Sequence, residues 1–151
     1  MRTLLFATVT LLLASCTDYV SKDFKKFGNY EWQRADMQEL TVEIPADSMT
    51  VDVLLHVRYA NGFAYQNLNL IIEELTPDGE SRIAPFSYRL RGDDGAHLGD
   101  GSGDIWDIRF PLKQNMLMQG GKYRYKIGHT MPQDKLLMLM EIGITVEASN
   151  K

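Results

Sequence analysis

The sequence is short of cysteine and of positive charge. Its single cysteine, Cys16, excludes a disulfide within the chain, a cysteine-based zinc cluster and a CxxC redox pair. Lys and Arg number 16 against 20 Asp and Glu, for a formal net charge of −4, and no basic block occurs. Because phosphate neutralisation supplies most of the non-specific affinity for nucleic acid, this balance argues against a nucleic-acid partner. It also argues against broad electrostatic adhesion to anionic lipid.

No apolar run is long enough to cross a bilayer. The longest covers residues 4–14, is interrupted only by two threonines, and follows one basic residue, Arg2. A spanning helix needs about 20 residues, whereas the apolar region of a signal peptide needs about 7–15. Residues 1–15 are therefore predicted to be a signal peptide.

The next residues carry a lipidation motif. Residues 13–16 read LASC and resemble the bacterial lipobox at all four positions. That resemblance implies cleavage before Cys16, attachment of diacylglycerol to its thiol and acylation of the new amine. The predicted partner is then a membrane, reached through a lipid anchor on Cys16 that is stable once two or more chains are present. The expected location is the cell envelope. Thr17, rather than an aspartate, follows the cysteine and favours the outer membrane over the inner.

Beyond the motif, residues 16–29 show no clean period and are predicted to be the lipidated cysteine and a tether. From residue 30 onward, apolar and polar residues alternate with the period of two that is typical of half-buried strands. Residues 30–151 are therefore predicted to form one all-β domain, an antiparallel two-sheet β-sandwich, jelly-roll or immunoglobulin-like, of about 7–8 strands. Val53 and Val57 should be buried on one face, with Asp52 and Arg58 on the other. Residues 133–140 fit either a short helix or a strand.

The sequence offers no catalytic constellation. Ser102 lacks the GxSxG frame of a nucleophile elbow, and the three histidines form no HxH or HxxxH motif. The chain is predicted not to be an enzyme and to need no cofactor or metal. One alternative stays open at residues 92–107, where a glycine-rich loop carries five aspartates. Carboxylates on a tight loop suit calcium, but the EF-hand spacing is absent.

The same loop and the turn after residue 60 supply the candidate interface. The loop leads into the start of a predicted strand, where a rigid scaffold would position its side chains. We expect these residues either to brace the loop or to contact a partner. The candidates are Asp104, Trp106 and Asp107 from the loop, and Tyr59, Asn61 and Tyr65 around the turn.

Several strings resemble one known family. The lipobox is followed by YEW at residues 30–32, VRYANGFAYQNLNL at 57–70, TPDG at 76–79 and LGDGSGDIWD at 98–107. Together they resemble the gliding-motility lipoprotein GldH family of the Bacteroidota, over nearly all of the mature chain. The resemblance implies a non-enzymatic envelope lipoprotein, an accessory or structural component associated with gliding motility and the type IX secretion machinery, with envelope protein partners. The alternative left open is a lipid-anchored glycan-binding β-sandwich module.

Overall fold

The computed structural model describes residues 19–45 and 47–149, so the predicted signal peptide and Cys16 lie outside the described residues. Eleven strands occur in these ranges, every pairing is antiparallel, and one 3-10 turn spans Gly28–Tyr30. The predicted all-β antiparallel class is confirmed. The strands are β1 (Tyr19–Lys26), β2 (Glu31–Gln33), β3 (Gln38–Ile44), β4 (Met49–Ala60), β5 (Asn67–Leu75), β6 (Ser81–Arg89), β7 (Asp100–Ser102), β8 (Ile105–Met118), β9 (Gly121–His129), β10 (Lys135–Leu137) and β11 (Leu139–Ala148).

The strands form two large sheets and one small ribbon. One large sheet has the order β1-β11-β4-β8-β7, the other has the order β3-β9-β5-β6, and β10 pairs with β2. The prediction of two sheets with 7–8 strands is therefore too low for the number of sheets, which is three, and for the number of strands, which is eleven in the described residues. Two of the missed strands, β7 and β10, have three residues each, which is too short for a period of two to be recognised.

The predicted tether is also corrected. Within residues 16–29, β1 pairs with β11 along its length, so the sandwich begins at residue 19 and not at residue 30. Two β1 side chains then cap the edge of the other sheet. The Asp23 carboxylate accepts a hydrogen bond from the backbone N–H of Thr41 at 2.8 Å, and the Ser21 hydroxyl accepts one from Glu43 at 2.9 Å. As an edge strand with partly exposed faces, β1 lacks a clear apolar alternation.

The longest uninterrupted alternation behaves as predicted. In β4, every odd-numbered residue from Val51 to Tyr59 is buried between the sheets, and Asp52 and Arg58 lie on the outer face. Full burial of one such aliphatic side chain stabilises the fold by about 1.5–3 kcal/mol. The ambiguous segment 133–140 is strand, because it contains β10 and the start of β11.

One charged cluster lies between the two large sheets. Glu74 on β5 is buried, and its carboxylate accepts hydrogen bonds from Lys113 Nζ on β8 and from the Tyr125 hydroxyl on β9, each at 2.8 Å. Burial, followed by the nearby Glu74 carboxylate, raises the pKa of Tyr125. The phenol therefore remains a hydrogen-bond donor at physiological pH.

The strand directions give the sandwich two distinct ends. β4 runs from the end that holds Tyr19 and Ala148 to the opposite end, where Ala60 pairs with Ile105. We call the first the terminal end and the second the loop end. The terminal end also carries the turns at residues 45–48, 76–80 and 119–120. The loop end carries the connections at residues 61–66, 90–99 and 130–134.

Candidate functional site

Asn61 is the centre of a hydrogen-bonded cluster at the loop end. Its amide nitrogen donates to the Asp104 carboxylate at 2.7 Å, and its amide oxygen accepts from the Trp106 indole N–H at 2.8 Å. Its backbone N–H also donates to the Asp104 carbonyl at 2.7 Å. The turn after β4 is thus tied to the start of β8. The Gly62 φ of 93° and the Gly103 φ of 63° give both segments the left-handed backbone that these turns require.

Trp106 is packed into the loop. His97 stacks on its ring with centroids 4.2 Å apart and planes 7° apart. On β7, a methyl group added to Gly101 would lie 2.4 Å from Trp106 Cζ3, so the glycine backbone contacts the indole directly. Trp106 is therefore engaged in bracing contacts and does not offer the open, flat platform that stacking on a sugar ring would need.

Tyr59 connects this aromatic pair to the core. Its hydroxyl donates to the Leu90 carbonyl at 3.0 Å and lies 3.0 Å from His97 Nδ1. Because the hydroxyl proton is used on Leu90, the phenol oxygen accepts from His97, which assigns the ring proton to Nδ1. Burial raises the pKa of Tyr59, and burial followed by the Arg91 charge lowers that of His97. Both groups are therefore uncharged near pH 7.

The other two candidates lie apart from this cluster. Asp107 lies on the outer face and forms a bidentate pair with Arg58, with distances of 2.7 Å to Nε and 2.9 Å to the second nitrogen. That hydrogen bond raises the pKa of Arg58. Tyr65 donates its hydroxyl proton to Gln133, and its ring packs edge-on against Phe63 at 5.7 Å. The structure thus brings together Tyr59, Asn61, Asp104 and Trp106, and places Asp107 and Tyr65 outside this cluster.

The loop aspartates do not converge on one point. Asp93 pairs with Arg89, and Asp94 accepts from the backbone N–H of Ala96 at 3.0 Å. Asp104 and Asp107 are bonded to the partners given above. Across residues 19–45 and 47–149, no group of three or more His, Cys, Asp or Glu side chains is arranged to hold a metal ion. Within the same ranges, no helix is long and apolar enough to span a membrane.

A groove on the outer face of the five-stranded sheet was missed by the sequence reasoning. It has a volume of about 510 Å³ and is lined by Phe24, His56, Arg58 and Arg109, among others. His56 Nε2 lies 2.8 Å from Thr145 Oγ1. Burial, followed by the Arg109 charge, lowers the pKa of His56 to about 4, so the ring is neutral at pH 7. The signal that could have found the groove is the alternation of β4, which places His56 and Arg58 on the same face.

Sequence reasoning also missed an exposed apolar surface at the loop end. Tyr30, Leu137 and Met138 are 49%, 52% and 40% exposed, and we call these three residues the loop-end patch. Their backbones lie close together, because Glu31, which follows Tyr30, pairs with Leu137. The Met138 carbonyl accepts from the backbone N–H of Ala60 at 2.9 Å, which places the patch beside Asn61. Tyr30 and Met138 have φ values of 57° and 64°, a strained region for non-glycine residues that often marks functional surfaces.

The fold and this site define an all-β sandwich domain. At its loop end, the hydrogen-bonded cluster around Asn61 lies beside the exposed loop-end patch. A sequence profile of the GldH lipoprotein family matches residues 19–146. The chain therefore belongs to the GldH lipoprotein family, and the resemblance seen in the sequence is confirmed.

Individual relatives agree with this assignment. The chain is 23% identical over 155 residues to the "Gliding motility lipoprotein GldH homolog" of Christiangramia forsetii, covering 97% of this chain and 94% of that protein. It is 26% identical over 118 residues to the "Gliding motility lipoprotein GldH" of Flavobacterium johnsoniae, covering 78% and 73%. Among solved structures, the Eiger TNF of S. frugiperda covers 89% of this chain and 90% of its own, with 10% identity and a TM-score of 0.36. At that score the structural likeness carries no argument.

Proposed function

We propose that this chain is a cell-envelope lipoprotein acylated on Cys16, and that it serves as a non-enzymatic accessory or structural component of the gliding-motility and type IX secretion machinery. The observation that carries the proposal is membership of the GldH lipoprotein family, over residues 19–146. Two relatives named as gliding motility lipoproteins support it. Thr17 after the lipobox cysteine supports the outer membrane as the location.

The proposed contact with an envelope protein is at the loop end. The lipobox places Cys16 only three residues before Tyr19, which lies at the terminal end. β4 has 12 residues and runs between the two ends, so at about 3.3 Å per residue the loop end lies roughly 40 Å from the anchored end. The loop-end patch consists of three exposed, largely apolar side chains, which suit a protein partner better than a sugar.

The anchor is tested by substitution of its thiol. We expect C16S to remain unprocessed and unlipidated, and therefore mislocalised, because both acylation and cleavage depend on that sulfur. Mass spectrometry of the wild-type protein, purified from its native membranes, should show a mature chain that begins at an acylated Cys16. An unmodified Cys16 in that membrane-bound protein would refute the proposed anchor.

The contact is tested by a charge in the loop-end patch. We expect L137E to abolish co-purification of the partner after cross-linking in native membranes, because a carboxylate in an apolar contact must be desolvated. The matched control is I83E, a similar change at a 65% exposed position on β6. Both variants should keep the wild-type melting temperature. If L137E and I83E recover the same cross-linked proteins as the wild type, the loop-end patch is not the interface.

A further inference from the structure

A second exposed apolar surface lies at the terminal end. Met116 and Leu117 are 47% and 69% exposed, and we call them the terminal-end patch. They follow a bulge in β8, where the register with β4 shifts between Val51 and Val53. The bulge is fixed by the Asp52 carboxylate, which accepts from the backbone N–H of Asn115 at 2.6 Å. Bulges of this kind redirect side chains, and here the exposed side chains are large and apolar.

The surroundings of the patch are uncharged along the chain. Residues 114–121 read QNMLMQGG and contain no acidic or basic side chain, although 24% of the protein is charged. Aspartates occur in the neighbouring turns, at Asp47 and Asp78. The groove beside Met116 and Leu117 is lined by charges of both signs, Asp78 and Glu80 with Arg82 and Lys113, and this balance gives little net attraction to anionic headgroups. The free energy of a membrane contact at this end would therefore come from the burial of apolar side chains and not from charge attraction.

The position of the chain's proposed anchor constrains this end of the molecule. Three backbone steps join Cys16 to Tyr19, and at about 3.6 Å per step they span at most roughly 11 Å. Tyr19 pairs with Glu147, and Glu147 pairs with Asp52, so β1 enters the sheet level with the bulge. β8 is three strands from β1 in the sheet order, which is about 14 Å at the usual strand spacing.

From this geometry we infer that the terminal end rests on the bilayer, with Leu117 and Met116 inserted at the boundary between lipid headgroups and acyl chains. The inference rests on the proposed acylation of Cys16. Acyl chains alone leave the domain free to pivot about its short connection. A second, apolar contact about 14 Å from β1 fixes its orientation and points the loop-end patch away from the membrane.

The experiment uses the full, lipidated protein with one cysteine introduced for labelling. The Cys16 sulfur is blocked by its diacylglycerol, so the introduced thiol alone takes up a polarity-sensitive fluorophore. L117C tests the terminal-end patch. L98C is the matched control, at an exposed apolar position in the loop before β7, which lies at the loop end. Each protein is reconstituted into phosphatidylcholine–phosphatidylethanolamine vesicles, with and without brominated acyl chains, and its melting temperature is checked against the wild type.

The expected result is a blue-shifted emission at position 117 that brominated lipid quenches, with aqueous, unquenched emission at position 98. Aqueous emission at position 117, in protein shown by mass spectrometry to be acylated on Cys16, would overturn the orientation and leave the proposed function intact. Loss of vesicle binding because Cys16 is unmodified would overturn both. A blue shift at position 117 that grows with protein density and is not quenched by bromolipid would assign the patch to a protein contact and overturn the lipid contact.

Discussion

Removal of the Asn61 side chain should loosen the loop end without unfolding the sandwich. N61A deletes two side-chain hydrogen bonds, one to the Asp104 carboxylate at 2.7 Å and one from the Trp106 indole at 2.8 Å. It leaves the backbone hydrogen bond from residue 61 to the Asp104 carbonyl in place. Because both lost bonds are solvent-exposed, water can replace them, so each contributes about 0.5–1 kcal/mol, the lower part of the usual net range.

The expected loss of unfolding free energy is therefore about 1–2 kcal/mol. For a domain of this size, 1 kcal/mol corresponds to about 3–4 °C in melting temperature, so N61A should melt roughly 3–8 °C below the wild type. The loss should be local, with faster amide hydrogen exchange in residues 92–104 and unchanged exchange in β4 and β11. Thermal melts followed by circular dichroism and exchange measured by mass spectrometry give the two readouts.

Two further variants separate bracing from partner contact. D104N keeps a carbonyl oxygen that can accept from Asn61 and removes the charge, so it should stay within about 0.5 kcal/mol of the wild type. D104A removes the acceptor and should show about half of the N61A effect, roughly 0.5–1 kcal/mol. If N61A melts within 1 °C of the wild type and exchange in the loop is unchanged, the cluster does not brace the loop and the reasoning fails.

Three other outcomes follow from the structure. Stability should fall as pH drops from 6.5 towards 4, because the unfolded His56 ring gains a proton that the folded ring, with its pKa lowered to about 4, does not. The full shift corresponds to about 3 kcal/mol, and partial exposure reduces the expected loss to about 1–2 kcal/mol. H56Q should flatten the curve of melting temperature against pH, and an unchanged slope would contradict the assignment. K113M should cost about 2–4 kcal/mol in urea unfolding, because it leaves the buried Glu74 carboxylate without its cation. The double variant with E74L should recover most of that loss. G143A should cost about 1–3 kcal/mol, because the added methyl would lie 2.1 Å from a ring carbon of the phenylalanine on β1. G28A, where nothing lies within 4 Å, is the matched control and should melt close to the wild type.

The proposed orientation on the membrane gives the two apolar patches different roles. The terminal-end patch is close to the anchor and uncharged, whereas the loop-end patch adjoins a rigid hydrogen-bonded cluster on the far side of the domain. A rigid surface loses little conformational entropy on binding, so bracing by Asn61 would favour contact with a partner. Weakened bracing in N61A should then also reduce recovery of the partner that L137E abolishes.

The sequence by itself determined the class of the fold and the family. Alternation with a period of two is a local property of a strand that buries one face, so the linear pattern alone assigns Val53, Val57 and their neighbours in β4 to the core. Apart from the lipobox, the GldH resemblance likewise depended on contiguous strings that lie within residues 19–146, which the family profile matches.

Only the tertiary structure decided how these parts meet. β1 carries no apolar period that would identify it as a strand. Its place in the sheet depends instead on pairing with β11, far away in the chain, and on hydrogen bonds to the edge of β3. Asn61 and Asp104 are 43 residues apart, and nothing local indicates their hydrogen bond. The Met116–Leu117 surface arises from a bulge that Asp52 fixes from another strand. In each case the deciding contact is non-local. A linear pattern can show which residues form strands, but the pairing of distant strands decides which side chains share a surface.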